Sequence, residues 1–229
     1  MDYLESRRIL DKLPYLEVKP GLNRINRLLE ALKNPQQGFP AIHITGTNGK
    51  GSVAAMLSCV LEEAGYKVGT FTSPDMLDFR DRISVNNEWI EKDEFAHQVA
   101  QILPLLEDTD DPPSLFEALT AIAFSHFGRQ KADIAVVEVG LGGRYDATNV
   151  VSPILTILTT VAMDHAALLG DSLEKIAWEK AGIAKQGVTM LIGNLPFQAE
   201  GVVRQECKHV GAILARAREI KLELSLIHI

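Results

Sequence analysis

Apolar residues along the chain follow two different periods. Continuous apolar runs, several of them rich in β-branched residues, predict buried strands at residues 41–45, 68–71, 134–139, 154–160 and 188–192. Apolar spacings of three and four predict helices at residues 2–13, 22–32, 53–61, 93–106, 114–127 and 171–185. Because strands alternate with helices, the sequence predicts an α/β fold with a doubly wound, mostly parallel sheet.

Two of these helices carry more detailed signals. The first helix after the opening strand has its apolar residues on one side, and we expect that side to face the core. These residues are Val53, Met56, Leu57, Val60 and Leu61. Further along, Ser114 and Glu117 have the spacing of a capping box, so a helix should begin just after Ser114.

Four predicted strands end next to polar residues. The first runs into residues 46–52, and the second into Thr72, Ser73 and Pro74. The other two end at Glu138 and shortly before the pair Asp164 and His165. Ligands of doubly wound sheets bind outside the carboxyl ends of the strands. These groups therefore predict a ligand site at one edge of the sheet.

The segment GTNGKGS at residues 46–52 has the features of a phosphate-binding loop. Its glycines allow a tight turn that brings backbone N–H groups close to an anion, and the following helix adds its positive end. Lys50 supplies a cation, and Ser52 supplies a hydroxyl for Mg²⁺. The segment departs from the general phosphate-loop pattern, since Gly46 lies three residues before Gly49 and Gly51 separates Lys50 from Ser52. We therefore interpret it as a variant phosphate loop.

Glu138 and His165 are candidate metal ligands, each with a simpler alternative. A carboxylate within the apolar run at residues 134–139 is costly to bury unless it is paired or bound to a cation. A salt bridge to a helix lysine or arginine would serve Glu138 equally well. A neutral imidazole can bind a metal, but a single histidine such as His165 is also compatible with an ordinary surface or core position.

Lys180 falls on the apolar side of the predicted helix 171–185. That side is formed by Leu173, Ile176, Ala177, Ala181 and Ala184. The simpler interpretation is that the aliphatic stem of Lys180 covers the core while its ammonium reaches water. Alternatively, burial favours the neutral amine, which can react with CO₂ to give a carbamate that binds metal as a carboxylate does. The spacing alone leaves both interpretations open.

Composition and charge narrow the classes of partner. The chain has 229 residues, of which 46% are hydrophobic and 23% charged, as in ordinary globular proteins. The net charge of −7 and the lack of a dense basic run argue against nucleic-acid binding. Two distant cysteines without a metal-ligand spacing indicate a reducing compartment. Since no apolar run reaches transmembrane length and residues 1–8 are polar, we expect a cytoplasmic protein that binds no membrane.

Six motifs in order resemble those of folylpolyglutamate synthases and bifunctional dihydrofolate synthases. They are GTNGKGS at residues 46–52, TSP at 72–74, EVGLGGR at 138–144, DATN at 146–149, DH at 164–165 and EKAGI at 179–183. The resemblance runs from about Leu22 to Lys185. It implies the phosphate-loop NTPase-like topology of the central domain of Mur-type ligases, to which these enzymes are similar in fold and chemistry.

The resemblance also implies a reaction and its cofactors. ATP would phosphorylate a substrate carboxylate, and the amine of L-glutamate would displace phosphate to form an amide in folate biosynthesis. Residues binding the ATP phosphates would be Thr47, Asn48, Gly49, Lys50, Gly51 and Ser52. Ligands of two magnesium ions would be Ser52, Ser73, Glu138, His165 and a carbamate on Lys180. Lys50, His165 and Lys180 would take part in catalysis.

Substrate contacts are implied for a third group of residues. Dihydropteroate or a reduced folate would contact Gly21, Phe116, Glu117, Asp146 and Ala147. The sequence departs from the common family pattern at Asp75, Asp81, Ala166 and Ala167. None of these departures touches an expected phosphate or metal ligand, although Asp75 leaves the choice of substrate open. The resemblance implies a monomer.

We expect residues 1–220 to form an ATP-binding ligase domain that is incomplete at its carboxy-terminal end. We expect residues 221–229 to be a non-native or out-of-frame tail, and the Rossmann-like glutamate ligase domain of the family to be absent. On that basis the chain alone should not complete ligation. A Mur-type peptidoglycan-precursor ligase, a phosphate-loop kinase or hydrolase, and a catalytically silent nucleotide-binding regulator remain as alternatives.

Overall fold

A computed structural model of the chain describes residues 1–14, 21–107 and 111–217. Within these ranges eight strands form one sheet. They are β1 (Ala41–Thr45), β2 (Val68–Phe71), β3 (Ile83–Val85), β4 (Glu88–Trp89), β5 (Ile134–Glu138), β6 (Pro153–Leu158), β7 (Thr189–Ile192) and β8 (Ile213–Arg216). The expected tail at residues 221–229 lies outside the described residues.

The sheet is mostly parallel and has β1 near its centre. Its strand order is β4-β3-β2-β5-β1-β6-β7-β8. Strand β1 pairs in parallel with β5 on one side and with β6 on the other, whereas β3 and β4 form an antiparallel edge. The chain thus reverses its winding direction at β1, the position at which a doubly wound sheet opens a ligand crevice. The predicted fold class is confirmed.

The described ranges contain eight α-helices, two of which precede the first strand. They are α1 (Tyr3–Leu10), α2 (Asn23–Ala31), α3 (Lys50–Glu63), α4 (Lys92–Glu107), α5 (Leu115–Gln130), α6 (Ala166–Leu169), α7 (Leu173–Ala181) and α8 (Phe197–Val210). Short 3-10 helices occupy Pro35–Gln37, Phe79–Arg82 and Ala147–Val150. No helix in the described ranges combines the length and the apolar character needed to cross a bilayer.

Strand β5 shows why the central strands have continuous apolar sequences. Ile134 and Val136 pack into the cluster that β1, β2 and β6 share with α3, whereas Ala135 and Val137 pack into the cluster under α1, α2, α4 and α5. Because successive side chains of a strand point to opposite faces and both faces are covered, no position in β5 favours a polar residue except its end, at Glu138. A third apolar cluster lies beneath α7 and α8.

Two features of the predicted helices were wrong. In α3, Met56 and Val60 are 61% and 65% exposed, although Val53, Leu57 and Leu61 pack toward the sheet as predicted. The close approach of α3 to the sheet is instead made by the small residues Ala54 and Ser58, which are buried. Helix α7 ends at Ala181, before the predicted end at residue 185, because a turn follows.

Three elements had no clear sequence signal. The hairpin formed by β3 and β4 lies in a polar segment, and its tight turn at Asn86 and Asn87 uses positive φ angles. Helix α8 and strand β8 extend the parallel sheet past β7.

The capping box at Ser114 and Glu117 is confirmed, since each side chain accepts a hydrogen bond from the backbone N–H of the other residue.

Candidate active site

The phosphate loop lies at the carboxyl end of β1, and α3 begins directly after it at Lys50. Gly49 has φ 81°, a conformation that side chains disfavour, so glycine is required at the turn into the helix. Gly46 approaches β6 so closely that a Cβ there would lie 1.9 Å from Thr159 Oγ1. The loop is therefore wedged between the ends of β1 and β6, with the amino end of α3 directed outward.

A segment that follows β6 holds this loop in place. The Thr47 N–H donates to the Thr160 carbonyl at 2.9 Å, and the Asn48 N–H donates to Thr160 Oγ1 at 3.0 Å. The Thr159 hydroxyl donates to the Asn48 carbonyl at 2.7 Å. Thr159 and Thr160 were not predicted as site residues. Their only signal in the sequence was the change from apolar to polar residues at the end of a predicted strand.

Beside the loop is a small pocket that is partly open to solvent. It is lined by Gly46, Thr47, Lys50, Val139, Gly140, Leu141, Gly142, Asp164, His165 and Lys180. The pocket thus unites three predicted catalytic residues, Lys50, His165 and Lys180, from three separate parts of the chain. Asp164, which the sequence placed among the polar groups at this edge of the sheet, also lines the pocket. Residues 139–142 line it as well, although the sequence did not predict a contact role for them.

Lys180, near the end of α7, is only 4% exposed, so its side chain does not reach water along the outer surface. Its ammonium makes no hydrogen bond or ion pair with any described residue, although Asp164, Asp146 and Glu179 act on it at longer range. Burial, helped by the charge of Lys50, lowers the pKa of Lys180 from 10.5 to about 8. The pocket therefore contains an amine that is deprotonated far more readily than an ordinary lysine.

Glu138, at the end of β5, accepts a hydrogen bond from the Ser73 N–H at 3.2 Å. Its second carboxylate oxygen lies 3.8 Å from Lys50 Nζ, a loose ion pair. Burial raises the pKa of Glu138, although the Ser73 amide and Lys50 oppose that change. A Cβ at Gly51 would lie 3.5 Å from the same carboxylate, so the amino end of α3 also approaches it. The structure thus gathers Ser73, Glu138 and Lys50.

His165 has a more open position. It adopts φ 47°, its side chain is more than half exposed, and its Nε2 lies 3.7 Å from Asp164 Oδ2. In the ranges that the structure describes, no three His, Cys, Asp or Glu side chains are grouped closely enough to hold a metal ion. A magnesium site here would therefore need hydroxyl, carbamate or phosphate oxygens in addition to Glu138 and His165.

Asp146 and Ala147 lie behind the pocket wall. Asp146 is buried, and its carboxylate accepts hydrogen bonds from the Leu141 N–H at 2.9 Å, from the Thr148 N–H at 2.9 Å and from the Thr148 hydroxyl. Burial raises the pKa of Asp146, and the donors from Thr148 and Leu141 oppose this effect. Ala147 belongs to the apolar cluster under α5.

The remaining predicted substrate residues do not line the pocket. The Phe116 ring packs on the Phe71 ring. It also lies so close to Gly140 that a Cβ added there would be 2.5 Å from the ring, so Phe116 supports the pocket wall from behind. The Glu117 carboxylate accepts from Arg24 Nε at 3.1 Å and from the Ser114 N–H at 2.7 Å, which gives it a structural role. Gly21 adopts φ 120° in open space. Their contacts with substrate stay predictions.

The chain is similar to known proteins over most of its length. A family model described as the Mur ligase middle domain matches residues 44–196. The dihydrofolate synthase/folylpolyglutamate synthase of Bacillus subtilis (strain 168) is 44% identical over 200 residues, which cover 85% of this chain and 46% of that protein. The folylpolyglutamate synthase of Lacticaseibacillus casei is 40% identical over 217 residues, which cover 93% of this chain and 51% of that protein.

A solved structure extends the comparison to bound ligands. A folylpolyglutamate synthase in complex with AMPPCP and folate superposes with a TM-score of 0.88 at 40% identity, over 94% of this chain and 54% of that one. The chain thus spans about half the length of the relatives that it matches.

Proposed function

Because this chain belongs to the Mur ligase middle-domain family, we propose that it takes part in ATP-dependent amide bond formation. The reaction joins L-glutamate to the carboxylate of dihydropteroate or of a reduced folate. One observation carries the proposal: Lys50 of the phosphate loop and the buried Lys180, which has no partner among the described residues, line the same pocket at the switch point of the sheet. The relatives named for folylpolyglutamate or dihydrofolate synthesis, and the folate complex of one of them, support the choice of substrate.

The proposed chemistry has two steps. An oxygen of the substrate carboxylate attacks the γ-phosphorus of ATP, and the bond from that phosphorus to the β-phosphate oxygen breaks. ADP departs as the leaving group, and the substrate carboxylate has become an acyl phosphate. The amine of L-glutamate then attacks the acyl carbon, loses a proton and expels inorganic phosphate. The backbone N–H groups of residues 47–52 and the Lys50 ammonium hold the phosphates and offset negative charge at the transferred phosphoryl group.

The residues present also fit magnesium ions and a carbamate. Glu138 is a buried carboxylate with only a loose cationic partner, and its raised pKa would be reversed by a bound cation. Ser52, Ser73, Glu138 and His165 would hold magnesium, which supplies positive charge to the phosphates when bound. The unpaired Lys180 amine would attack CO₂ and lose a proton, converting a cation that repels Lys50 into an anion that attracts it.

The proposal extends to the surroundings of the site. Residues 1–220 serve as the ATP-binding ligase domain, and Gly21, Phe116, Glu117, Asp146 and Ala147 serve the pterin-bearing substrate. The protein acts as a monomer in the cytoplasm. An alternative, a phosphate-loop kinase or hydrolase, would share the loop but would leave the unpaired Lys180 unexplained.

Trapping of the acyl phosphate tests the proposal on this chain. With MgATP and hydroxylamine present, dihydropteroate or tetrahydrofolate should yield the corresponding hydroxamate, detected by mass spectrometry. Lys50→Met should abolish the product, because the phosphoryl group loses its cation. The control Lys175→Met removes an exposed lysine that pairs only with Asp171 on the same helix end, and it should retain the product.

Two outcomes would contradict the assignment. ATP hydrolysis at equal rates with and without the pterin compounds, and no hydroxamate, would indicate a hydrolase. Hydroxamate formed only from a peptidoglycan-precursor carboxylate would indicate a Mur-type ligase.

The carbamate has its own test. Protein equilibrated with ¹³C-labelled bicarbonate should show one carbamate carbon resonance, which Lys180→Ala should remove. If the resonance is absent from the unsubstituted chain, Lys180 acts as an amine or ammonium.

A further inference from the structure

A buried chain of hydrogen bonds runs from β1 to the wall of the pocket. It begins at His43, which is fully buried in the middle of β1, with Nε2 2.8 Å from Thr148 Oγ1. The Thr148 hydroxyl donates to the Asp146 carboxylate. Since a hydroxyl has only one proton, Thr148 must accept from His43, so His43 carries its proton on Nε2. Its Nδ1 has no hydrogen-bond partner in the part of the chain that the structure describes.

The same chain continues from Asp146 to the pocket. Asp146 Oδ2 accepts from the Leu141 N–H, and Leu141 lines the same pocket as Lys50 and Lys180. A second side chain of β1, Thr45, donates its hydroxyl to the Gly142 carbonyl at 2.7 Å. Strand β1 therefore leads into the phosphate loop and also holds residues 139–142, which form part of the pocket wall.

We propose that His43 and Thr148 are positioning residues, which hold the Asp146 carboxylate and, through it, the pocket wall at residues 139–142 in the arrangement that binds ligand. The claim that these residues affect binding of the pterin-bearing substrate rests on the proposed function. The claim that they affect binding of the nucleotide requires only the pocket geometry.

The free-energy cost of burying the His43 imidazole supports a role beyond packing. An imidazole with one unpaired nitrogen is buried here, next to positions filled by Ala41 and Ile42, and an apolar side chain would avoid that desolvation penalty. Burying the Asp146 side chain is likewise costly, since burial disfavours the charged form of a carboxylate. Together the three side chains form a polar line within an apolar layer, and the end of that line is the backbone of the pocket.

Threonine variants provide the sharpest test, because valine has nearly the shape of threonine. Thr148→Val removes the central hydroxyl, and Thr148→Ser keeps it. Thr156→Val is the matched control. Thr156 is fully buried in β6, directly beside His43 in the sheet, and its hydroxyl donates to the Thr189 carbonyl of β7. Within the described ranges it makes no hydrogen bond to residues 139–142. Calorimetric titration with MgAMPPCP and with dihydropteroate then measures affinity, while thermal unfolding measures stability.

We expect Thr148→Val to lose about tenfold in affinity for MgAMPPCP, because that is the effect of one misplaced charge-assisted hydrogen bond. The affinities of Thr148→Ser and Thr156→Val should stay within about threefold of that of the unsubstituted chain. His43→Gln, whose amide can donate in place of Nε2, should also remain within about threefold, and His43→Leu should lose about tenfold. Equal losses of affinity in Thr148→Val and Thr156→Val would overturn the inference.

Two further readouts keep the test decisive. In the unsubstituted chain, ¹⁵N NMR should show His43 protonated at Nε2 alone, and a proton on Nδ1 would overturn the inference without any variant. Failure of dihydropteroate and folates to bind, while MgAMPPCP binds with the expected variant effects, would contradict the proposed substrate and leave the positioning role supported.

Discussion

The two lysines of the pocket differ in what surrounds them. Lys50 begins α3 and has a carboxylate, Glu138, within 3.8 Å. Lys180 has no such partner among the described residues, and burial together with the charge of Lys50 lowers its pKa to about 8. The same residue type is thus paired with a carboxylate at one position, whereas at the other its pKa is lowered because burial disfavours its charged form.

His43 leads to a prediction about pH at this scale. Burial, helped by the charge of Lys185, lowers the pKa of His43 from 6.5 to about 3. Below about pH 6.5 the unfolded chain binds a proton at this histidine, but the folded chain does not until about pH 3. This group should therefore reduce the free energy of unfolding by about 1.4 kcal/mol per pH unit as the pH falls through that range.

Urea unfolding at pH 7 and pH 5 measures this contribution. His43→Gln should flatten the loss of stability on acidification, and His209→Gln, at an exposed position on α8, controls for the loss of a histidine. The prediction is wrong if His43→Gln keeps the full dependence of the unsubstituted chain.

Among the elements, the glycine-rich segment after β5 shows how one loop is tied to several helices. Arg144, at the end of this segment, stacks on the Trp178 ring at 3.7 Å, donates to the Trp178 carbonyl at 3.1 Å and pairs with Glu206 of α8. Asn149 donates to the Gly182 carbonyl at 3.1 Å and accepts from Lys185 Nζ. These contacts fix α7, and therefore Lys180, relative to the pocket wall.

The phosphate loop gives a prediction for an element. Gly46→Ala would place a methyl group against the Thr159 hydroxyl and 3.1 Å from the Thr160 nitrogen, forcing the loop away from β6. We expect the free energy of unfolding to fall by about 1–3 kcal/mol, and nucleotide affinity to fall as well.

Gly201→Ala is the matched control for that change. Gly201 lies within α8, where a Cβ would meet no atom within 4 Å. Because alanine favours a helix more than glycine does, this variant should gain about 0.5–1 kcal/mol and leave nucleotide binding unchanged. Chemical denaturation and calorimetric titration measure both effects, and equal stability of the two variants would contradict the steric argument.

For the whole molecule, stability depends on the apolar layers on either side of the sheet. Phe124 on α5 is fully buried and packs against Phe39, Phe71 and Phe127. Phe124→Ala should reduce the free energy of unfolding by about 3–5 kcal/mol, because it leaves a cavity in this layer.

Phe197 provides the comparison, since it is 91% exposed at the start of α8. Phe197→Ala should change the free energy of unfolding by no more than about 0.5 kcal/mol. Denaturant unfolding of both variants tests the prediction, and a cost for Phe197→Ala close to that for Phe124→Ala would show that α8 is covered in solution.

The sequence alone determined the fold class and the resemblance to folylpolyglutamate and dihydrofolate synthases, and the comparisons confirm both. It could do so because the underlying features are local. Continuous apolar runs identify strands that are buried on both faces. The glycine and lysine positions of residues 46–52 predict a turn that binds phosphate, and that role stays a prediction.

Tertiary structure alone decided which side chains meet. The sequence could not show that Lys180 has no partner among the described residues, that Thr159 and Thr160 hold the phosphate loop, or that His43 reaches Asp146 through Thr148. It also predicted a buried Met56 and Val60, which are exposed. Burial and pairing depend on neighbours more than a hundred residues away, brought together by the order of strands in the sheet, and spacing along the chain does not encode that order.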